Sequence, residues 1–188
     1  MSDEAASPTS IGIVGDGPGG LSAALFLAKA GHAVTIFGRD ATAMNYAHLY
    51  NYLGLPEIGG TEFQRIAKDQ VSAFGATLVD ATVTSVERDD GGFRLTTEAG
   101  ETTDVDYLIL TEGKNAPLAE SLGAIGDDAA LTRDGRTAID RLYVVGRTAR
   151  PKRSQAIISA GDGAAAALDI LADISGSDVQ DWDSPPKS

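Results

Sequence analysis

Ile11-Gly12-Ile13-Val14-Gly15-Asp16-Gly17-Pro18-Gly19-Gly20-Leu21-Ser22-Ala23-Ala24 decides how the chain is read. Ile11, Ile13 and Val14 predict a buried strand, and Leu21 to Ala30 a helix rich in Ala and Leu. Between them Gly15, Gly17 and Gly20 give the spacing G-x-G-x-x-G. The first glycine permits a tight turn. The second lets the backbone approach a pyrophosphate, and the third lets helix and strand pack closely. A helix opening on such a turn offers free N–H groups and partial positive charge to phosphates. Asp16, Pro18 and Gly19 complete the candidate nucleotide site.

Outward from this turn, Lys29-Ala30-Gly31-His32 ends the helix on a glycine C-cap, and Ala33 to Phe37 predicts a second strand. His32 reads as a turn residue, not a ligand. An acid that holds a ribose hydroxyl pair is expected about 20 residues past the glycine turn. Gly38 stands there instead, with Arg39 beside it. Arg39 reads either as a contact for a 2′-phosphate or as one exposed charge among many.

Ala41 to Glu57 reads as an aromatic loop, with Tyr46, His48 and Tyr50 its best-placed polar rings; packing or surface roles weigh more heavily than catalysis. No catalytic residue is assigned. Thr61 is expected to cap a helix over Glu62 to Phe74. Ala76 to Arg88, Phe93 to Thr97 and Thr102 to Val105 read as the three strands of a small antiparallel meander. Tyr107 to Leu110 and Leu142 to Val145 are buried strands. Between them lie a short helix at Leu118 to Leu122 and a solvent-facing Asp127-Asp128. A last helix runs from about Ser154 to Ile174. The domain is therefore 11–174, with a flexible tail at 1–10 and an acidic tail at 175–188 that holds Trp182.

The chain has 188 residues, 43% hydrophobic, no cysteine and two histidines. Disulfides, thiolate metal sites and a dithiol redox pair are excluded, and a histidine metal cluster is not expected. Residues 1–10 lack the regions of a signal peptide, and no apolar run reaches membrane-spanning length, which reads as cytoplasmic. The net charge of −12 disfavours nucleic acid and anionic membranes as partners. It also suits a halophilic source, where salt screens the acids.

Four segments in order resemble the flavin-binding domain of the thioredoxin reductase family, two-dinucleotide-fold pyridine nucleotide-disulfide flavoproteins. They are Gly15 to Ala24, Tyr52 to Phe63, Tyr107 to Gly113 (similar to the family's strand ending in Ala-Thr-Gly), and Leu142 to Gly146 with Gln155-Ala156 and Ala160 to Ala164. The resemblance implies an α/β, Rossmann-like FAD/NAD(P)-binding fold: a central parallel sheet with helices and the small antiparallel meander. It implies FAD contacts at Thr111, Gly113, Gly146, Gln155 and Ala156. It also implies that the last helix points its N-terminus at the flavin ring. Arg147 stands where the family has an aspartate, and either grips a phosphate or fills the flavin channel. The family's inserted nicotinamide domain does not fit in residues 114–140, and its cysteine pair is absent.

The leading expectation is a stand-alone FAD domain in electron transfer that cannot itself reduce thioredoxin. It would bind a dinucleotide cofactor and exchange electrons with a separate donor or acceptor. A second reading keeps the fold and replaces FAD by NADP(H), through Gly38-Arg39. A third is a degenerate non-catalytic nucleotide-binding or regulatory module. Loss of a whole domain would expose an apolar face that a second subunit covers, which points to a homodimer.

Overall fold

A computed structural model describes residues 8–89, 91–126 and 129–184. Most of the expected 1–10 tail, the Asp127-Asp128 pair and the end of the acidic tail lie outside the described residues.

Five parallel strands form the centre: β1 (Ser10–Val14), β2 (Ala33–Gly38), β5 (Thr77–Asp80), β9 (Tyr107–Leu110) and β10 (Leu142–Val144), in the order β10-β9-β1-β2-β5. The short strands β3 (His48–Leu49) and β4 (Ile58–Gly59) pair antiparallel, as do β6 (Val83–Arg88), β7 (Phe93–Thr97) and β8 (Thr102–Val105). Among the described residues, four α-helices complete the fold: α1 (Pro18–Lys29), α2 (Gly60–Ala73), α3 (Pro117–Ser121) and α4 (Ala156–Ser175).

Strand side chains alternate between faces. Ile11, Ile13, Ile36, Tyr107, Ile109 and Tyr143 meet α1, α2 and α4 on one face. Val14, Phe37, Leu108, Leu110, Leu142 and Val144 meet the meander and α3 on the other. Near-continuous apolar strands are what two covered faces require. Gly12 lies under the meander, where a Cβ would sit 3.1 Å from Val105 Cγ2.

Helices α1 and α4 touch backbone to backbone: a Cβ at Gly163 would lie 2.0 Å from the Gly19 carbonyl oxygen. The alanines Ala23, Ala24, Ala166 and Ala167, all fully buried, line the same contact. Below it Tyr143 and Tyr107 donate to Asp169 (2.7 Å) and Asp173 (2.6 Å) of α4. Arg136 pairs with Asp169 at 2.8 Å, which ties the irregular 129–141 segment to the same helix.

The structure corrects three expectations. The stretch Ala76 to Arg88 is two strands in different sheets: β5 closes the parallel sheet beside β2, and only β6 enters the meander. Thr61 does not cap α2, which begins at Gly60 with Gly59 as its N-cap and no side-chain cap bond. The Ala41 to Glu57 stretch is not all loop, since it holds a 3-10 turn (Ala43–Tyr46) and the strand β3. The acidic tail is partly anchored. Lys29 binds Asp181 and Asp183 at 2.7 and 2.6 Å, and Val179 packs on the core, while Trp182 stays exposed.

Candidate functional site

The chain builds β1, β2 and β5 toward one edge of the sheet, then returns to lay β9 and β10 on the other side of β1. Strand order therefore reverses between β1 and β9. In open α/β sheets ligands bind at such a switch point, outside the carboxyl ends of the strands. A cleft of about 490 Å³ opens there. Its floor is Gly15, Asp16, Gly17, Pro18 and Gly19, and one wall is Thr111, Glu112, Gly113 and Lys114 after β9. Arg147, Ser154, Ala156 and Ser159 close it on the α4 side, and Ala41 to Met44 with Tyr46 face them.

Gly15 has φ +114°, and a Cβ there would lie 2.3 Å from the Thr111 carbonyl oxygen, so only glycine lets β1 turn beside β9. Gly17 opens on the cleft, with Thr42 Oγ1 at 3.5 Å as the one atom a Cβ would meet. The first intrahelical bond of α1 runs from Leu21 N–H to Gly17 O at 3.0 Å. The Gly19 and Gly20 amides precede it and are helix-start donors. No side chain caps this end, and no acid lies in its first turn. That cradle suits a diphosphate.

Charge around the cleft agrees. Lys114 and Arg147 are exposed, and neither makes an ion pair among the described residues. Glu112, on the wall, has both carboxylate oxygens engaged, accepting the Leu118 and Ala119 N–H groups at 3.0 Å each. Burial nevertheless raises its carboxyl above the ordinary range, more than those two bonds lower it. Thr148 Oγ1 both donates to Gly113 O (3.1 Å) and accepts from Gly113 N–H (3.0 Å), which fixes that turn.

Not every expected residue reaches the cleft. Gly20 is buried under it, where a Cβ would sit 2.0 Å from the Gly15 carbonyl oxygen. Gly146 is buried behind Thr111 and Ser159, and Gln155 turns outward to accept from Asn51 at 3.2 Å. Gly38 and Arg39 line an adjoining hollow with Asp80 and Lys68, which shares Asp16 with the cleft. Arg39 forms ion pairs with Glu98 and Asp80 and does not line the cleft. Tyr46 lines the rim, whereas His48 pairs with Glu57 at 2.8 Å and does not line the cleft.

The sequence did not reveal the clamp behind the turn. Gln64 donates to the Asp16 carbonyl oxygen (2.8 Å), and one helical turn on Lys68 reaches the Asp16 carboxylate (3.1 Å) and Asp40 (2.7 Å). Burial lowers the Lys68 pKa, but the bonds to Asp40 and Asp16 outweigh it and leave a net rise. The i,i+4 spacing of Gln64 and Lys68 was the available signal, but it names no partner.

A family model described as pyridine nucleotide-disulphide oxidoreductase matches residues 9–146. The chain belongs to this family. Within the pyridine nucleotide-disulphide oxidoreductases it is 28% identical over 176 residues to mitochondrial thioredoxin reductase 2 of Saccharomyces cerevisiae, covering 85% of this chain and 48% of that protein. It is 29% identical over 170 residues to a ferredoxin–NADP reductase of Levilactobacillus brevis, covering 83% and 47%. The chain thus spans about half the length of the curated relatives it matches. A solved thioredoxin reductase from Gloeobacter violaceus superposes with TM-score 0.80 at 16% identity, covering 94% of this chain and 99% of that one. One from Bacillus anthracis, a putative thioredoxin reductase, gives 0.81 at 14%, covering 89% and 99%. These likenesses establish the Rossmann-like thioredoxin reductase fold. No described helix is long and apolar enough to cross a membrane, and no group of three or more acid, His or Cys side chains among the described residues could hold a metal ion.

Proposed function

We propose that the cleft holds FAD and that this domain exchanges electrons through it without itself reducing thioredoxin. The carrying observation is the open first turn of α1 at the strand-order switch, faced by Lys114 and Arg147, which have no ion-pair partners among the described residues. Bound FAD would supply the redox chemistry. The Gly19 amide at the first turn of α1 would hold its diphosphate, with Gly17 leaving room for the approach. Lys114 and Arg147 would neutralise the anion, Arg147 with a fork suited to phosphate oxygens. Asp16, Pro18, Thr111 and Gly113 would shape the walls. Ala156 stands at the start of α4, whose partial positive charge would favour an electron-rich ligand edge there.

The chain has no cysteine, so it offers no dithiol for a disulfide substrate. Residues 114–140 are too few for a nicotinamide-binding domain, so reducing equivalents would come from a separate donor or from free NAD(P)H. Arg39, the residue read as a 2′-phosphate contact, pairs with Glu98 and Asp80, which does not favour NADP as the resident ligand.

The test is the visible spectrum of the purified protein, followed by FAD titration. Yellow protein near one flavin per chain supports the reading. Colourless protein stabilised against heat by NADP and not FAD replaces it with a nicotinamide nucleotide site. Colourless protein stabilised by neither makes the domain a non-catalytic module, since a ligand of the native state raises stability by mass action.

A further inference from the structure

We propose that the mouth of the cleft is a docking surface for a separate protein with an acidic face. Segment 147–153 (Arg-Thr-Ala-Arg-Pro-Lys-Arg) carries four cations and no acid, on a chain whose net charge is −12. Two successive turns coil it tightly, closed by Arg150 N–H to Gly146 O (2.9 Å) and Arg153 N–H to Arg150 O (3.1 Å). Arg147, Arg150, Lys152 and Arg153 are all exposed. Only Arg150 has an acidic partner among the described residues, Asp162 at 2.9 Å. Arg147, with Lys114 across the cleft, belongs to the diphosphate site of the flavin reading, so Lys152 and Arg153 are the cations left to a partner.

A second feature lies on the loop beside this mouth, where Tyr46 lines the cleft and Tyr50 and Leu53 a neighbouring hollow. Tyr46 is 95% exposed, Tyr50 72% and Leu53 89%. The hydrogen bond from Asn51 to Gln155 brings their loop to the start of α4, beside the cations. Exposed tyrosine and arginine together are the composition of protein interfaces, and clustered exposed apolar side chains mark contact sites. The chain's own acidic tail is not the occupant. Lys29 holds Asp181 and Asp183 at the far end of α1, roughly 18 Å from the glycine turn for a helix of 12 residues. A long polyanion fits worse than a compact acidic protein, because beyond the cationic rim it would run over a surface dominated by the chain's 27 acids. Ion pairs desolvated on docking also keep strength where salt screens longer-range attraction.

The surface rests on the flavin reading only for why a partner comes to this mouth; the docking itself is measured without flavin turnover. The probes are an acidic [2Fe–2S] ferredoxin, a basic cytochrome c and a single-stranded dT oligonucleotide, titrated by fluorescence anisotropy against the full chain with and without added FAD. Lys152 and Arg153 do not line the cleft, so a Lys152→Glu/Arg153→Glu variant should keep its circular dichroism and bind FAD within twofold of the parent. The expected result is ferredoxin binding that this variant weakens at least tenfold, with no cytochrome binding. No ferredoxin binding, or binding the variant leaves within twofold, overturns the proposal. So does tighter binding of the oligonucleotide with the same charge dependence. A concentration-dependent dimer that the variant abolishes also overturns it, and makes the rim a self-contact. If the parent takes up no FAD yet docks as expected, the flavin reading fails and this one stands.

Discussion

The Asp16 carboxyl group fills the space that a side chain at Gly38 would need: a Cβ on Gly38 would lie 2.4 Å from Asp16 Cγ. Asp16 Oδ2 accepts the Asp40 N–H at 3.0 Å, just past the end of β2, and the Lys68 ammonium at 3.1 Å. Residue 38 therefore has no room for the acid expected at the end of β2, because the Asp16 carboxyl occupies that space.

Gly38→Asp should therefore lower thermal stability by roughly 1–3 kcal/mol, the range for overpacking a filled site. Moving the acid, as Asp16→Gly/Gly38→Asp, should recover at least half of that loss. A double-mutant cycle by thermal denaturation checks it, and strictly additive losses would contradict the shared space.

The glycines of the turn separate by role. Gly17→Val should fold normally, because its Cβ meets only Thr42 Oγ1 at 3.5 Å, yet it should weaken nucleotide binding at least tenfold, about 1.4 kcal/mol. Gly20→Ala should instead damage the fold, since its Cβ would lie 2.0 Å from the Gly15 carbonyl oxygen. Melting curves and FAD titration of both variants distinguish the two effects.

Burial first, then the hydrogen bond to Asp173, pushes the Tyr107 phenol up from 10.0 to about 12. A folded-state pKa above the unfolded value means that this contribution is complete below about pH 10 and is lost as pH rises through 12. Tyr143, raised chiefly by burial and then by Asp169, acts in the same direction. Chemical denaturation from pH 8 to 12 should show stability falling across that window, less steeply in Tyr107→Phe. An unchanged slope in the variant would remove Tyr107 from the account.

Self-repulsion at a net charge of −12 should make the fold more stable in concentrated salt, as screening relieves it. The melting temperature is expected to rise steadily from dilute buffer to molar KCl. Equal stability across that range would argue against a halophilic adaptation.

The sequence alone determined the β1–turn–α1–β2 unit, the buried strands Tyr107–Leu110 and Leu142–Val144, and the glycine cradle. Each depends on local periodicity and on glycine spacing, although the need for glycine at Gly15 is set by the Thr111 carbonyl, 96 residues on. Tertiary structure alone decided which groups meet. It divided Ala76 to Arg88 between two sheets, because β2 needed an edge partner at Thr77–Asp80 that no alternation pattern announces. It turned Arg39 to Glu98, 59 residues away. It set Asp16 where residue 38 leaves room and placed Gln64 and Lys68 behind it. These pairings follow from the order β10-β9-β1-β2-β5, which brings distant segments to one end of the sheet. A side chain's charge can be read from sequence, but the partner that neutralises it is chosen by packing.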